Sequence, residues 1–157
     1  MTETWDRAAV LARLAALQRR QELWRTHDVI TLASASGHAR LSGVPPIRAD
    51  KADPGGEGPV AGQEVLPSLA AALTMRAVLG VLHDHRLDLP FDHNVHAAQS
   101  LAWHAAVTVG ASIETRAWIG RIREATRAVF FDVETESVTE DGRTCLRGTS
   151  TQALRHG

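Results

Sequence analysis

Leu66-Pro67-Ser68-Leu69-Ala70-Ala71-Ala72-Leu73-Thr74-Met75-Arg76-Ala77-Val78-Leu79-Gly80-Val81-Leu82 is the stretch that decides the fold, because from Leu69 onward only Thr74 and Arg76 interrupt its apolar character. Pro67 suits the first position of a helix, where its missing N–H leaves no hydrogen bond unmade. The stretch is short for a bilayer span and carries Arg76 near its middle, so it reads as a buried helix. A helix apolar on nearly every face must be wrapped by the rest of the chain. The expected element covers 66–87, ending among His83, Asp84, His85 and Arg86 before Leu89-Pro90 forces an extended backbone.

Downstream the period changes from helical to alternating. Val95, Ala97, Leu101 and Trp103 alternate with His96, Ala98, Ser100 and His104, and a second strand is expected around Ser112 to Ile119. Val129, Phe131, Val133 and Thr135 alternate with Asp132, Glu134 and Glu136, and Asp141-Gly142 is a hairpin signal leading to a last strand through Thr144 to Leu154. Consecutive antiparallel strands are thus expected over 92–155. Upstream, Val10, Leu11, Leu14, Leu17 and Trp24 recur at helical steps with Arg13, Arg19, Arg20 and Glu22 between them, which predicts an amphipathic N-terminal helix within 1–28. Between 44 and 62 the density of Pro and Gly predicts a flexible loop, serving either as a lid or as a surface excursion.

One wholly apolar helix needs cover from a broad surface, and the strands are the only large one available. The expectation is an α+β hotdog fold: a single domain, 1–157, in which an antiparallel sheet wraps a long central helix and an extra N-terminal helix is added. The open edges of so small a sheet favour pairing with a second copy or a related chain.

Composition narrows the partners. With 17 basic and 18 acidic residues and no long run of either sign, the chain has no footprint for nucleic acid or an anionic membrane. The single Cys145 cannot form an internal disulfide and no secretion signal is evident, so the cytoplasm is the expected compartment.

Three segments, in order, resemble the MaoC-like hydratase/dehydratase family, and especially its fatty-acid-synthase-type dehydratase branch. Gly58-Pro59-Val60-Ala61-Gly62 before Leu66-Pro67-Ser68-Leu69 looks like the family's entry into the central helix. Val95-His96-Ala97-Ala98-Gln99-Ser100-Leu101-Ala102-Trp103-His104 with Val107-Thr108-Val109-Gly110 resembles its first strand after the helix, and the strands around Asp141-Gly142, ending in Gly148-Thr149-Ser150-Thr151, resemble its last pair. The resemblance implies reversible addition of water across an activated double bond of an acyl thioester, carried by coenzyme A or a carrier protein, at a pocket between two hotdog chains, and with no cofactor.

In that family an aspartate and a histidine a few residues apart handle the α-proton and the water or leaving hydroxyl, while the thioester oxygen is stabilised as charge develops. Here Ala35-Ser36-Gly37-His38-Ala39-Arg40-Leu41 looks like the matching segment, but His38 stands where the aspartate is expected and Gly43 near the place of the histidine. The dyad is therefore degenerate. His38 can act alone as acid or base, or be an ordinary polar loop residue. In Asp92-His93-Asn94-Val95-His96, strand periodicity places Asp92, Asn94 and His96 on one side, so that Asp92 can orient His96 as a second catalytic candidate. The plain alternative is a sheet-face hydrogen bond and a turn cap.

Gly62 and Gln63 precede the helix N-terminus, where free N–H groups suit a developing oxyanion; with Asn94 and Trp103 they form the expected substrate-binding set. Trp118 is a second tunnel-lining candidate, and Arg121, Arg123 and Arg127 are either phosphate contacts or solvated charges. His83, His85, His93 and His96 lie close in sequence but lack a ligand spacing, so no metal is expected. Two other functions remain open: a non-catalytic hotdog subunit that shapes the acyl tunnel of a partner, and a hotdog thioesterase, for which Glu64 is the nearby carboxylate.

Overall fold

The computed structural model describes residues 5–18, 21–31, 33–35, 41, 62, 64–65 and 67–155. Helix α1 spans Arg7–Leu17 and helix α2 Pro67–Leu82; the strands are β1 (Trp24–Val29), β2 (Asn94–Trp103), β3 (Ser112–Ala125), β4 (Ala128–Thr139) and β5 (Thr144–Arg155). They form one antiparallel sheet in the order β1-β3-β4-β5-β2. β3, β4 and β5 are joined by hairpins, the second through Gly142 at φ 77°, a conformation glycine adopts without a Cβ clash. Asp141 closes that turn by accepting from the Thr139 hydroxyl and the Arg143 N–H.

Sequence order and sheet order part at β2. It does not lie beside β3 but at the far edge next to β5, so residues 104–111 form a crossover rather than a hairpin. This crossover is pinned under the entry to α2, where the Val65 N–H donates to Val107 O (2.8 Å) and the Gly62 N–H to Val109 O (3.1 Å).

α2 lies on the concave side of the sheet and buries Ala70, Leu73, Thr74, Ala77, Val78, Val81 and Leu82, a stripe with three- and four-residue spacing. Each large apolar side chain contributes about 1.5–3 kcal/mol on full burial, well above the roughly 1 kcal/mol that Gly80 costs a helix interior. The wrapping is nevertheless one-sided, contrary to the expectation from the apolar run. The flank bearing Ala72, Arg76 and Leu79 faces outward, and Leu79 is 45% exposed. The sheet reaches round only as far as β1, where Asp28 pairs with Arg76. α2 also stops at Leu82, short of 87, because Asp84 turns back to accept the N–H and guanidinium of Arg86.

The N-terminal helix is shorter than its apolar pattern suggested. It starts at Asp6, whose carboxylate accepts from the Ala9 N–H at 3.0 Å, and ends at Leu17 rather than continuing toward 28. Trp24 to Val29 is strand β1 instead: aromatic and β-branched residues there favour an extended chain, and β3 offers an edge from Ser112 to Ala117. α1 caps the end of the sheet, burying Val10 and Leu14, while Arg13 donates to Leu87 O (2.8 Å) and Asp88 O (2.9 Å). The loop expected over 44–62 lies, except for Gly62, outside the described residues.

Candidate functional site

The strand that carries the site residues contains a β-bulge. His96 opposes Gln152 and Ala98 opposes Thr151, so two residues of β2 stand against one of β5 and Ala97 is left over. Opposed residues of antiparallel neighbours project from the same face. Before the bulge Asn94 and His96 face α2's side of the sheet; after it Gln99, Leu101 and Trp103 do. Uninterrupted alternation had put His96 opposite to Leu101 and Trp103. The extra residue reverses the alternation and brings Asn94, His96 and Trp103 to one concave face. His96 and Trp103 are exposed there, beyond the cover that α2 gives.

Behind this row a polar belt crosses the sheet. The hydroxyls of Thr115 and Ser137 lie 2.9 Å apart, Gln152 Nε2 donates to Ser150 Oγ (2.8 Å), and Asn94 Nδ2 donates to Gln152 Oε1 (3.0 Å). Thr115, Ser137, Ser150 and Gln152 are all buried. The belt separates two apolar clusters, one around Val81, Phe131 and Leu154 and one around Ile30, Leu73, Val109 and Leu146. At its β2 end Asn94 Oδ1 is buried without a hydrogen-bond partner. Gln152 and Ser150, which hold Asn94, were absent from the sequence-derived set; their only sequence signal is polarity at inward positions of a strand that otherwise buries Leu146 and Leu154.

The remaining candidates divide. His38 and Gln63 lie outside the described residues, but the chain leading to His38 passes through Ala35, which is buried beside Ala70 and Leu73 of α2. Asp92 is not on the strand: it sits exposed in a 3-10 turn, Phe91–His93, and no hydrogen bond or ion pair joins it to His96. The strand periodicity that grouped Asp92 with His96 fails because Pro90 starts a helical turn that ends only at Asn94. Gly62 has φ 92°, but its N–H already serves Val109 O, so this amide is not free for an oxyanion. Glu64 is exposed and bridges to Thr108. Trp118 lies on the opposite, convex face, donating to Glu134 (2.8 Å), and so does not line the concave cleft. Arg121 pairs with Asp132, and Arg123 lies over the Phe130 ring. Among the described residues no group of His, Cys, Asp or Glu is arranged to hold a metal, and no helix is long and apolar enough to cross a membrane.

No protein-family model matches the sequence, and no curated protein matches it. Solved structures do. A C-terminally truncated HadBC (3R-hydroxyacyl-ACP dehydratase) complex from Mycobacterium tuberculosis superposes with a TM-score of 0.64 at 16% identity, over 83% of this chain and 93% of that one. The MaoC-like dehydratase from Rhodospirillum rubrum gives 0.62 at 14% identity, over 92% and 97%. The chain has the hotdog fold. The R-hydratase PhaJ1 of Pseudomonas aeruginosa shares this hotdog architecture with a TM-score of 0.60 at 15% identity, over 91% of this chain and 84% of that one. In hotdog terms α2 is the central helix, and β2, which carries Asn94, His96 and Trp103, is an edge strand of the sheet.

Proposed function

We propose that the chain is a hydratase/dehydratase of the MaoC-like type, acting on an acyl thioester of coenzyme A or a carrier protein at a cleft completed by another hotdog chain. The observation that carries this reading is the bulge at Ala97, which sets an imidazole, a carboxamide oxygen and an indole along one concave border of the sheet. His96 moves the proton at the α-carbon, a task suited to an imidazole, which can both accept and donate a proton. Asn94, held by Gln152, orients the water or the leaving hydroxyl, and Trp103 packs against the acyl chain. His38, outside the described residues, is the second acid/base candidate.

The assay is hydration of crotonyl-CoA, followed by loss of the enoyl-thioester absorbance, with His96→Gln and His38→Gln measured separately. Loss of one proton-transfer group lowers turnover by about 10²–10⁴-fold. If neither substitution changes turnover by more than a few-fold, this assignment is wrong.

A second reading has its own support: among the described residues no carboxylate hydrogen-bonds or pairs with His96. On that reading the chain is a non-catalytic subunit that shapes the tunnel of a partner bearing an intact dyad. An isolated chain that hydrates crotonyl-CoA rejects it.

A further inference from the structure

The edge strand β1 and the outward flank of α2 bound a groove of about 510 Å³, whose lining includes Trp24, Arg76, Leu79, Gly80 and His83. Its walls are held in place. The Trp24 indole rests on Gly80, and His83 donates through Nδ1 to Leu79 O (2.8 Å) and stacks on Phe91 with ring centroids 4.7 Å apart. Trp24, Leu79 and Phe91 still stand 41%, 45% and 45% exposed. β1 is the last strand on its side of the sheet, and among the described residues no chain pairs with its outer side. The groove therefore runs beside a row of backbone groups that a further strand can meet.

Charge along β1 is sorted by face and by depth. Trp24, whose neighbour on β3 is the core residue Ala117, points toward α2, so by alternation Arg25 and His27 point to the convex face. Both pair with Glu114, at 3.4 and 3.1 Å, while Arg76 of α2 pairs with Asp28. In each pair the carboxylate lies beneath its donor: the side chains of Arg25, His27 and Arg76 are 45%, 66% and 62% exposed, against 16% for Glu114 and 15% for Asp28. An arriving chain meets guanidinium and imidazole groups before it meets an acid.

We infer that β1 and this groove bind an extended segment of a partner protein in which acidic and apolar residues alternate, added to the sheet as a further strand. Cross-strand neighbours share a face, so a residue set opposite Trp24, about 4.8 Å beyond β1, directs its side chain onto Leu79 and His83. Residues set opposite Arg25 and His27 turn to the convex face, where a carboxylate shares donors that Glu114 already orients. Apolar on one side and acidic on the other is the pattern that the two surfaces select together. Charged side chains on an edge deter unselected strands, so the groups that keep β1 from indiscriminate pairing give the complementary segment its preference. β1 and β2 are opposite edges of the sheet, so a segment docked on β1 leaves the His96 edge open.

The test is fluorescence anisotropy of a labelled peptide, acetyl-Glu-Leu-Glu-Leu-Glu-Leu-amide, titrated with the full chain. The expected result is saturable binding with a Kd below about 1 mM, weakened about tenfold or more when the peptide is N-methylated along its backbone, when Lys replaces its Glu residues, and in the protein variants Leu79→Glu and Arg25→Glu. The two variants act on opposite faces and both replace exposed side chains, so a folding defect in one leaves the other as the test. Amide NMR shifts on peptide addition should gather on β1 and on α2 around Leu79. Absence of saturable binding at about 1 mM, shifts confined to β2, or equal binding of the N-methylated or Lys-containing peptide overturns the inference. None of these measurements uses a thioester, so their outcome is independent of whether the chain hydrates crotonyl-CoA.

Discussion

Trp24 lies face-on against Gly80: a Cβ added at position 80 would stand 2.3, 2.5 and 2.8 Å from three adjacent ring atoms of the indole. The edge strand β1 is seated on the central helix through this contact, which needs a residue without a side chain in the middle of α2. Helix propensity alone says that Gly80→Ala stabilises by about 1 kcal/mol. The clash reverses the sign, because displacing a ring seated on backbone is an overpacking defect that costs about 1–3 kcal/mol. The expected outcome is no gain and a net loss of up to about 2 kcal/mol in urea unfolding. In a Trp24→Ala background the same substitution should be neutral or stabilising, and a loss of equal size there would show that the ring is not the cause.

The end of α2 carries a pH signature. Asp84 accepts the Arg86 N–H (2.8 Å) and its guanidinium (2.6 Å), and Arg86 reaches on to Leu23 O (3.3 Å), tying the helix end to the start of β1. The hydrogen bond from Arg86 holds the Asp84 carboxyl below its ordinary value of 3.8. A depressed folded-state pKa means that the unfolded chain binds this proton first, so the contribution is fully present above pH 3.8 and is lost as pH falls through the lower folded value. Arg86 is partly solvated, which limits the contribution to on the order of 1 kcal/mol. Unfolding midpoints from pH 5 down to the acid limit should converge between wild type and Asp84→Asn. Curves that stay parallel would assign the lowered pKa no role in stability.

The central helix was legible because Leu69 to Leu82 is apolar except at Thr74 and Arg76, although the run did not show that the flank bearing Ala72, Arg76 and Leu79 stays exposed. The β4–β5 hairpin was equally plain from Asp141-Gly142, whose Gly142 takes the positive φ such a turn needs. Three features escaped for one common reason, namely that they are decided by long-range pairing. Trp24 continued the helical spacing of α1 and was claimed by the free edge of β3 instead. The place of β2 beside β5 leaves no trace in its own residues. The bulge at Ala97 exists only relative to Gln152 and Thr151, so alternation read along β2 alone set His96 on the opposite side from Leu101 and Trp103. Site chemistry was legible as residue types, and its geometry was not.

Asn94 and Gln152 should separate stability from function. Asn94 Oδ1 is buried without a partner, and an orphaned acceptor costs about 1–3 kcal/mol. Asn94→Leu removes that orphan but leaves the buried Gln152 Oε1 without its donor, so one unmet acceptor replaces another and the expected net change is within about 1 kcal/mol of zero. Gln152→Leu is different, because it strands both Asn94 Nδ2 and the buried Ser150 hydroxyl in an apolar surround, and a loss of about 2–4 kcal/mol follows from two unmet groups. If Asn94 orients water for His96, Asn94→Leu will unfold at the wild-type urea concentration yet hydrate crotonyl-CoA far more slowly, the trade expected where a strained polar group serves a site rather than the fold. A variant as active as wild type would leave the orphaned oxygen as a feature of packing and remove Asn94 from the proposed chemistry.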